Sequence, residues 1–158
     1  MLGQTLVGVA LALASKGSEY CGNFGAPRHG CAHSVSTEGA LLSAQGSAVL
    51  AHDTLTLIGS SMPNGGVLYF QSGAFSGNGV PFGDGLLCLS SPLIRLATKL
   101  NVGGASRYPE VGDAPISITG AVTAPGFRTY QALYRDAAAY CTPATNNLTQ
   151  ALRVTWSP

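Results

Sequence analysis

Alternation of large apolar residues with polar or small ones recurs along most of the chain and predicts strands rather than helices. Within residues 47–58, Leu55 and Leu57 alternate with Thr54 and Thr56. A period of two places alternate side chains on opposite faces of a strand. Further strands are predicted over residues 67–73, 86–91, 92–100, 115–122, 126–136 and 150–156.

Stretches rich in glycine and proline separate these strands and predict the turns. Residues 60–66 read SSMPNGG and residues 77–85 read GNGVPFGDG, and residues 101–113 have the composition of a loop. One short helical turn is predicted over residues 135–140. Strands of this length at this spacing indicate an all-β fold, an antiparallel β-sandwich of immunoglobulin-like or jelly-roll-like type.

The N-terminal stretch TLVGVALALA, residues 5–14, permits two interpretations. It ends in small residues that fit a leader cleaved before Ser15, but the first four residues carry no Lys or Arg, which a signal peptide has. Its apolar length of about ten residues is too short for a transmembrane helix, which needs about 20. The larger side chains alternate with small ones as in a strand, and they are Val7, Val9, Leu11 and Leu13.

The alternation favours a retained strand over a leader. We therefore expect an N-terminal extended β-strand arm over residues 1–19, which reaches the domain through the polar stretch 15–18, and a single β-sandwich domain over residues 20–158. No internal repeat or linker divides that domain.

Composition narrows the classes of function. Hydrophobic residues make up 46% of the chain and charged residues only 9%, against about 25% in typical soluble domains. Such low charge suits a protein whose surface is covered by neighbours or that works outside the cell. The net charge is +1 and the basic residues are scattered, so we expect no nucleic-acid partner.

The four cysteines, Cys21, Cys31, Cys88 and Cys141, are an even number in a chain rich in turns, which suggests two disulfides and an oxidising compartment. Three pairings are open from sequence alone. We favour a local Cys21–Cys31 bond together with a Cys88–Cys141 bond between distant strands.

Two thiols and two imidazoles occur close together around Cys21, His29, Cys31 and His33. Zinc takes four such ligands in a tetrahedron. His29, Cys31 and His33 alternate at such short spacing that they could bind one metal ion only under strain. A Cys21–Cys31 disulfide is the simpler explanation of the two cysteines. We expect no metal and no cofactor.

Two other possible functional sites, a calcium site at Asp84 and a catalytic pair of His52 and Asp53, also have structural explanations. Asp84 lies in a Gly-rich loop that could hold Ca²⁺, but calcium takes six to eight oxygens, so a turn in which Asp84 bonds its own backbone is favoured. His52 and Asp53 are adjacent, so on a strand they point to opposite faces. Without a nucleophile elbow or a zinc-protease motif, we expect no enzyme and no catalytic residues.

Aromatic residues and a sequon raise the question of glycans. Tyr69, Tyr130, Tyr134 and Trp156 could stack on sugars, although aromatics on alternating strands are more often core or cross-strand pairs. Asn147-Leu148-Thr149 matches a glycosylation sequon, which matters only where the host modifies such sites.

Several short motifs follow one another in order from residue 20 onward. They are Tyr20-Cys21, DTLTL (53–57), Met62-Pro63 before LYF (68–70), VPFGDG (80–85), Leu87-Cys88, PLIRL (92–96), YRD (134–136), Cys141, NLT (147–149) and LRVTW (152–156). With them the chain resembles a β-domain found at the C-terminal end of many secreted proteins of planctomycete-like bacteria. The resemblance implies export and a β-sandwich, and it implies no activity, because the family has no assigned chemistry.

The chain departs from this family in two respects. Many relatives end in Cys-Pro where this chain has Ser157-Pro158, so Cys21 needs another partner, and Cys31 is available. Relatives also carry the domain behind a much larger protein, whereas here an arm of 19 residues precedes it.

An arm that the family fold does not need can add to a sheet edge of a neighbouring copy. Main-chain hydrogen bonds then provide affinity, and a head-to-tail contact of this kind builds a filament unless its rotation closes. We predict a subunit of an extracellular filament or surface assembly whose partners are copies of itself. The alternative is a secreted, non-catalytic adhesion or carbohydrate-binding module, with residues 1–14 as a leader or an intramolecular strand.

Overall fold

A computed structural model describes residues 11–13 and 22–158 of the chain. Strands dominate this part, with one helical turn. In chain order the elements are β1 (Leu11–Leu13), β2 (Leu41–Gln45), β3 (Thr56–Ser60), β4 (Gly65–Ser72), β5 (Phe75–Phe82), β6 (Gly85–Leu89), β7 (Ile94–Asn101), β8 (Ser106–Tyr108), α1 (Ile116–Thr119), β9 (Gly126–Arg135), β10 (Asn146–Leu148) and β11 (Ala151–Trp156).

The largest sheet has six strands in the order β1-β11-β9-β4-β7, with β10 also paired to β9. All its pairs are antiparallel. The ten-residue β9 organises the sheet, because one of its sides pairs with β4 and the other with β11 and then β10. Between β10 and β11 the chain keeps contact with β9 through Thr149, whose N–H donates to Ala132 O and whose hydroxyl accepts from Ala132 N.

One face of this main sheet packs on the three-stranded sheet β2-β3-β8 and on α1. Alternate residues of β4, β9 and β11 point into this interface, as the period of two in a strand requires. Their buried side chains meet those of the smaller sheet in a single cluster. Its members include Leu42, Leu57, Tyr69, Tyr108, Ile116, Tyr130, Tyr134, Leu152, Val154 and Trp156.

The opposite face of the main sheet is covered in part by the β5–β6 hairpin. A second buried cluster contains Phe70 of β4, Leu86 and Leu89 of β6, and Leu148 of β10. The predicted all-β sandwich is confirmed, with the hairpin as an addition that covers part of the second face of the main sheet.

Two buried glutamines join the main sheet to the layers on either side. Gln131 of β9 accepts from Cys88 N (3.0 Å) and donates to Leu86 O (2.7 Å) and Thr149 O (2.8 Å), which ties β6 to the sheet. Gln150 accepts from Leu42 N (3.0 Å) and donates to Leu42 O (2.6 Å). The side-chain amide of Gln150 thus hydrogen-bonds to both the N–H and the carbonyl of Leu42 on β2, as the backbone of a neighbouring strand would.

The strand predicted over residues 115–122 is wrong, because a helical turn lies there. Pro115 O accepts from the N–H groups of Ile118 and Thr119, and Asp53 Oδ2 accepts from Ser117 N at 2.7 Å. Ile116 is buried while Ile118 is 70% exposed, so the two isoleucines do not share a face. A hydrogen bond from a residue 64 positions away therefore overrides the local alternation.

Other boundaries also differ from prediction. Residues 77–82, expected as loop, belong to β5, and the hairpin turns at Gly83, where an added Cβ would clash with Asn146 Oδ1. The strand predicted from residue 47 begins at Thr56 instead. The helical turn predicted over 135–140 is not formed, and β8 occupies part of the predicted loop.

Candidate functional site

The candidate assembly site is the edge of the main sheet at β11. One side of β11 pairs with β9, and β1 pairs with the other in antiparallel register, with Leu11 opposite Arg153 and Leu13 opposite Ala151. Without β1, the main-chain groups on this side of β11 would lack a strand partner within the described part of the chain. Such an edge offers donors and acceptors to any strand that reaches it.

Arg153 lies near the middle of β11, opposite Leu11 of β1. Its guanidinium carbon lies 4.5 Å from the ring centroid of Phe127 on β9 and 5.4 Å from that of Phe75 on β5. Cation–π contacts of this length hold a cation over an aromatic ring. The edge residue opposite Leu11 is therefore positioned by rings from two layers.

The four predicted assembly residues are only partly described. Leu11 and Leu13 belong to β1, whereas Val7 and Val9 lie outside the described residues. The three residues of β1 pair with β11 of the same chain, the placement that the intramolecular alternative predicts.

Both predicted disulfides are wrong. Among the described residues, Cys31 and Cys88 are buried and form no disulfide, which removes both the Cys21–Cys31 and the Cys88–Cys141 pair. They belong to the cluster beneath the hairpin, where burial raises the pKa of the Cys88 thiol to about 11. A cysteine in apolar surroundings acts as a small hydrophobic residue. Cys21 lies outside the described residues.

His29 and His33, which were considered above as zinc ligands, both hydrogen-bond to other groups of the protein. His29 Nδ1 lies 2.9 Å from Gly39 O. His33 Nδ1 accepts from the N–H groups of Val35 and Ser36, so Nε2 carries the proton and donates to Ser61 O at 2.7 Å. Over residues 11–13 and 22–158, no group of three or more His, Cys, Asp or Glu side chains is placed to hold a metal ion.

Asp84 is buried, but it does not bond its own backbone as expected. Its Oδ1 accepts from Thr142 N at 2.6 Å, and its carbonyl accepts from the Asn23 side chain at 2.8 Å. The residue therefore joins the tip of the β5–β6 hairpin to two distant loops. Only one carboxylate oxygen is engaged among the described residues, because Oδ2 has no partner there.

His52 and Asp53 do not act together. Asp53 Oδ1 accepts from Leu55 N at 2.9 Å while Oδ2 accepts from Ser117 N, so its carboxylate organises two backbone segments. His52 is exposed. Asp53 alone thus binds the backbone in the first turn of α1, and His52 takes no part in these hydrogen bonds.

The four aromatics considered for sugar stacking lie inside the sandwich. Tyr69, Tyr130, Tyr134 and Trp156 are all at most 1% exposed, which rules out stacking on a ligand at the surface. Trp156 Nε1 donates to Tyr130 Oη at 2.9 Å, and Tyr69 Oη accepts from Gly59 N at 3.1 Å. The core interpretation of these residues is confirmed.

Burial of the phenols predicts loss of stability in alkali. Desolvation raises the pKa of Tyr69, Tyr130 and Tyr134 above the ordinary value. The folded state keeps these protons while the unfolded state releases them above about pH 10, so the stabilisation is present below that pH and falls as pH rises. Each phenol contributes a slope of up to about 1.4 kcal/mol per pH unit.

Urea unfolding between about pH 9 and pH 11 measures this slope. The matched control is Tyr134→Phe, since the Tyr134 hydroxyl has no partner among the described residues. The free energy of unfolding of this variant should fall less steeply with pH, by the contribution of one phenol. A free energy of unfolding that stays constant across the range would contradict the prediction.

The glycosylation sequon is inaccessible in the fold. Asn147 is fully buried, and its side-chain N–H groups donate to Ala32 O at 3.0 Å and Cys31 O at 3.4 Å. Modification of the folded chain at this nitrogen would require those contacts to break.

Sequence reasoning missed an apolar pocket of about 270 Å³ between the main sheet and the hairpin. Leu68 of β4 pairs with Leu133 of β9, and Phe70 pairs with Arg95 of β7, so these four share one face. No local pattern indicates the pocket, because its walls come from six strands and one loop. The remaining lining residues are Phe82, Leu87, Leu93 and Leu148.

Comparisons of this chain with protein-family models, curated proteins and solved structures give no match. The resemblance to the secreted planctomycete-like domain therefore stays a prediction. Within the described residues, no helix has the length and apolar character needed to cross a membrane.

Proposed function

We propose that the chain is a structural subunit of an extracellular filament or surface assembly, joined when the N-terminal strand of one copy pairs with β11 of the next. The observation that carries the proposal is the pairing of β1 with the β11 edge. A neighbour's arm would meet the same main-chain donors and acceptors as the chain's own arm. Exchange of an identical element between copies is a low-cost route to assembly.

The surface is consistent with burial by neighbours. Charged residues make up only 9% of the sequence. Exposed apolar groups mark interaction sites when they form patches, and single ones are normal. The most exposed large apolar side chains are Phe24, Val35, Leu100, Val102, Val111 and Ile118.

A second candidate is a secreted, non-catalytic adhesion or binding module that keeps its arm. Pairing of residues 11–13 with β11 of the same chain favours this arrangement of the arm. The two candidates differ in where the arm docks, so oligomeric state separates them.

A proline in β1 tests the proposal. Ala12→Pro removes a main-chain N–H and disfavours pairing at the centre of β1. Ala12→Ser at the same position keeps the N–H and serves as the control. We expect the parent and Ala12→Ser to form oligomers or fibres as concentration rises, by light scattering and negative-stain microscopy, and Ala12→Pro to remain monomeric.

Monomers at every concentration for the parent chain would refute the filament and leave the binding module. Assembly of Ala12→Pro as efficient as that of the parent would show that another surface carries the contact. Circular dichroism of each variant establishes that loss of assembly is not loss of fold.

A further inference from the structure

The apolar pocket under the hairpin contains one charged group. Among the described residues, Arg95 is the sole ionisable side chain in its lining, and the other seven lining residues are apolar. Arg95 is exposed, and among the described residues no hydrogen bond, ion pair or ring contact engages its guanidinium. The two ion pairs of the described chain both belong to Lys99.

The apolar lining is open to solvent at the same place. Phe82 is 45% exposed and Leu93 is 41% exposed, while Phe70 and Leu148 form a buried floor. Water against such a surface finds few polar partners, so an apolar group that displaces it gains affinity.

We propose that this pocket binds a small apolar carboxylate, with its hydrocarbon against Leu68, Leu87 and Leu133 and its carboxylate on Arg95. Guanidinium presents donors in a fork that matches the two oxygens of a carboxylate. An apolar wall with one placed polar group is the usual design of small-molecule sites. The inference is independent of the filament proposal.

Volume restricts the ligand. A pocket of 270 Å³ lies near the lower end of the range of about 300–1,000 Å³ for small-molecule sites. It equals the liquid volume of roughly nine waters at about 30 Å³ each. A short acyl chain or one aromatic ring fits this space, whereas a full-length lipid tail or an oligosaccharide would extend beyond it.

Octanoate and octanol form a matched pair of probes, equal in chain length and different in charge. Titration calorimetry on the full chain at neutral pH should show octanoate binding about tenfold more tightly than octanol, a difference that corresponds to one carboxylate interaction. Arg95→Gln should abolish this preference and leave octanol binding unchanged. Arg107→Gln, at an exposed arginine on β8, is the control and should behave as the parent.

A second variant addresses the pocket itself. Leu93→Asp places a carboxylate at the exposed rim without disturbing a buried position, and it should weaken octanoate more than octanol. Co-sedimentation with anionic phospholipid vesicles separates a free ligand from a membrane surface. We expect no Arg95-dependent sedimentation.

Three results would overturn the proposal. They are absence of octanoate binding, equal binding of octanoate by the parent and Arg95→Gln, and vesicle sedimentation that Arg95→Gln abolishes. The last result would assign Arg95 to a lipid surface instead.

Discussion

Replacement of Gln131 by leucine is expected to lower the free energy of unfolding by about 3–6 kcal/mol, because it leaves three main-chain groups without their amide partner. Gln131 is fully buried, and it serves Cys88 N, Leu86 O and Thr149 O. Leucine has a similar size but no polar atoms, so the loss reports the hydrogen bonds. In a domain of this length the midpoint of thermal unfolding should fall by roughly 10 °C or more.

Thr129→Val is the matched control for Gln131→Leu. Thr129 lies two residues earlier on β9 and is also fully buried, but its hydroxyl has no partner within the described structure. Removal of an unsatisfied hydroxyl should be neutral or slightly stabilising. Urea unfolding followed by circular dichroism compares the two. Equal stabilities for both variants would mean that the Gln131 bonds contribute nothing to holding the hairpin.

Truncation of Trp156 is the second large effect that we expect. Trp156→Ala should cost about 3–5 kcal/mol, as removal of a large aromatic from a packed core does. Its ring is the largest fully buried side chain, and it lies between the two sheets in the same cluster as Leu152 and Val154. The free energy of unfolding from urea titration measures the loss.

Two further variants separate the contribution of the Trp156 hydrogen bond from that of its buried ring. Trp156→Phe keeps an aromatic ring and loses the hydrogen bond to Tyr130, so we expect a smaller cost of about 1–2 kcal/mol in addition to any loss of packing. Phe127→Ala, at a half-exposed aromatic on β9, should cost less than the Trp156 truncation. A Trp156→Ala protein as stable as Phe127→Ala would contradict the placement of Trp156 in the core.

Much of the fold is predictable where strands have one apolar face. Period-two patterns placed strands close to β4, β6, β7, β9 and β11, because burial of alternate residues leaves a local signature. The short strands β2, β8 and β10 were missed. Three to five residues carry too few alternations to stand out from the flanking loops.

The errors arise where distant contacts decide the local conformation. β5 is Gly-rich and reads as a loop, yet its pairing with β6 makes it a strand. Residues 115–122 alternate, yet the Asp53 carboxylate and Pro115 organise a helical turn. The disulfide prediction rested on the even number of cysteines and on an expected oxidising compartment. In the structure Cys88 instead packs among apolar residues.

By itself the sequence determined the all-β class, the approximate position of the long strands and the burial of Tyr69, Tyr130, Tyr134 and Trp156, because alternation and aromatic content are local properties. Only the tertiary structure decided which edge receives residues 11–13, that Cys31 and Cys88 pack in an apolar cluster, and that Arg95 lines an apolar pocket. These features join residues far apart in the chain. Their geometry depends on strand order and register, which no short stretch of sequence encodes.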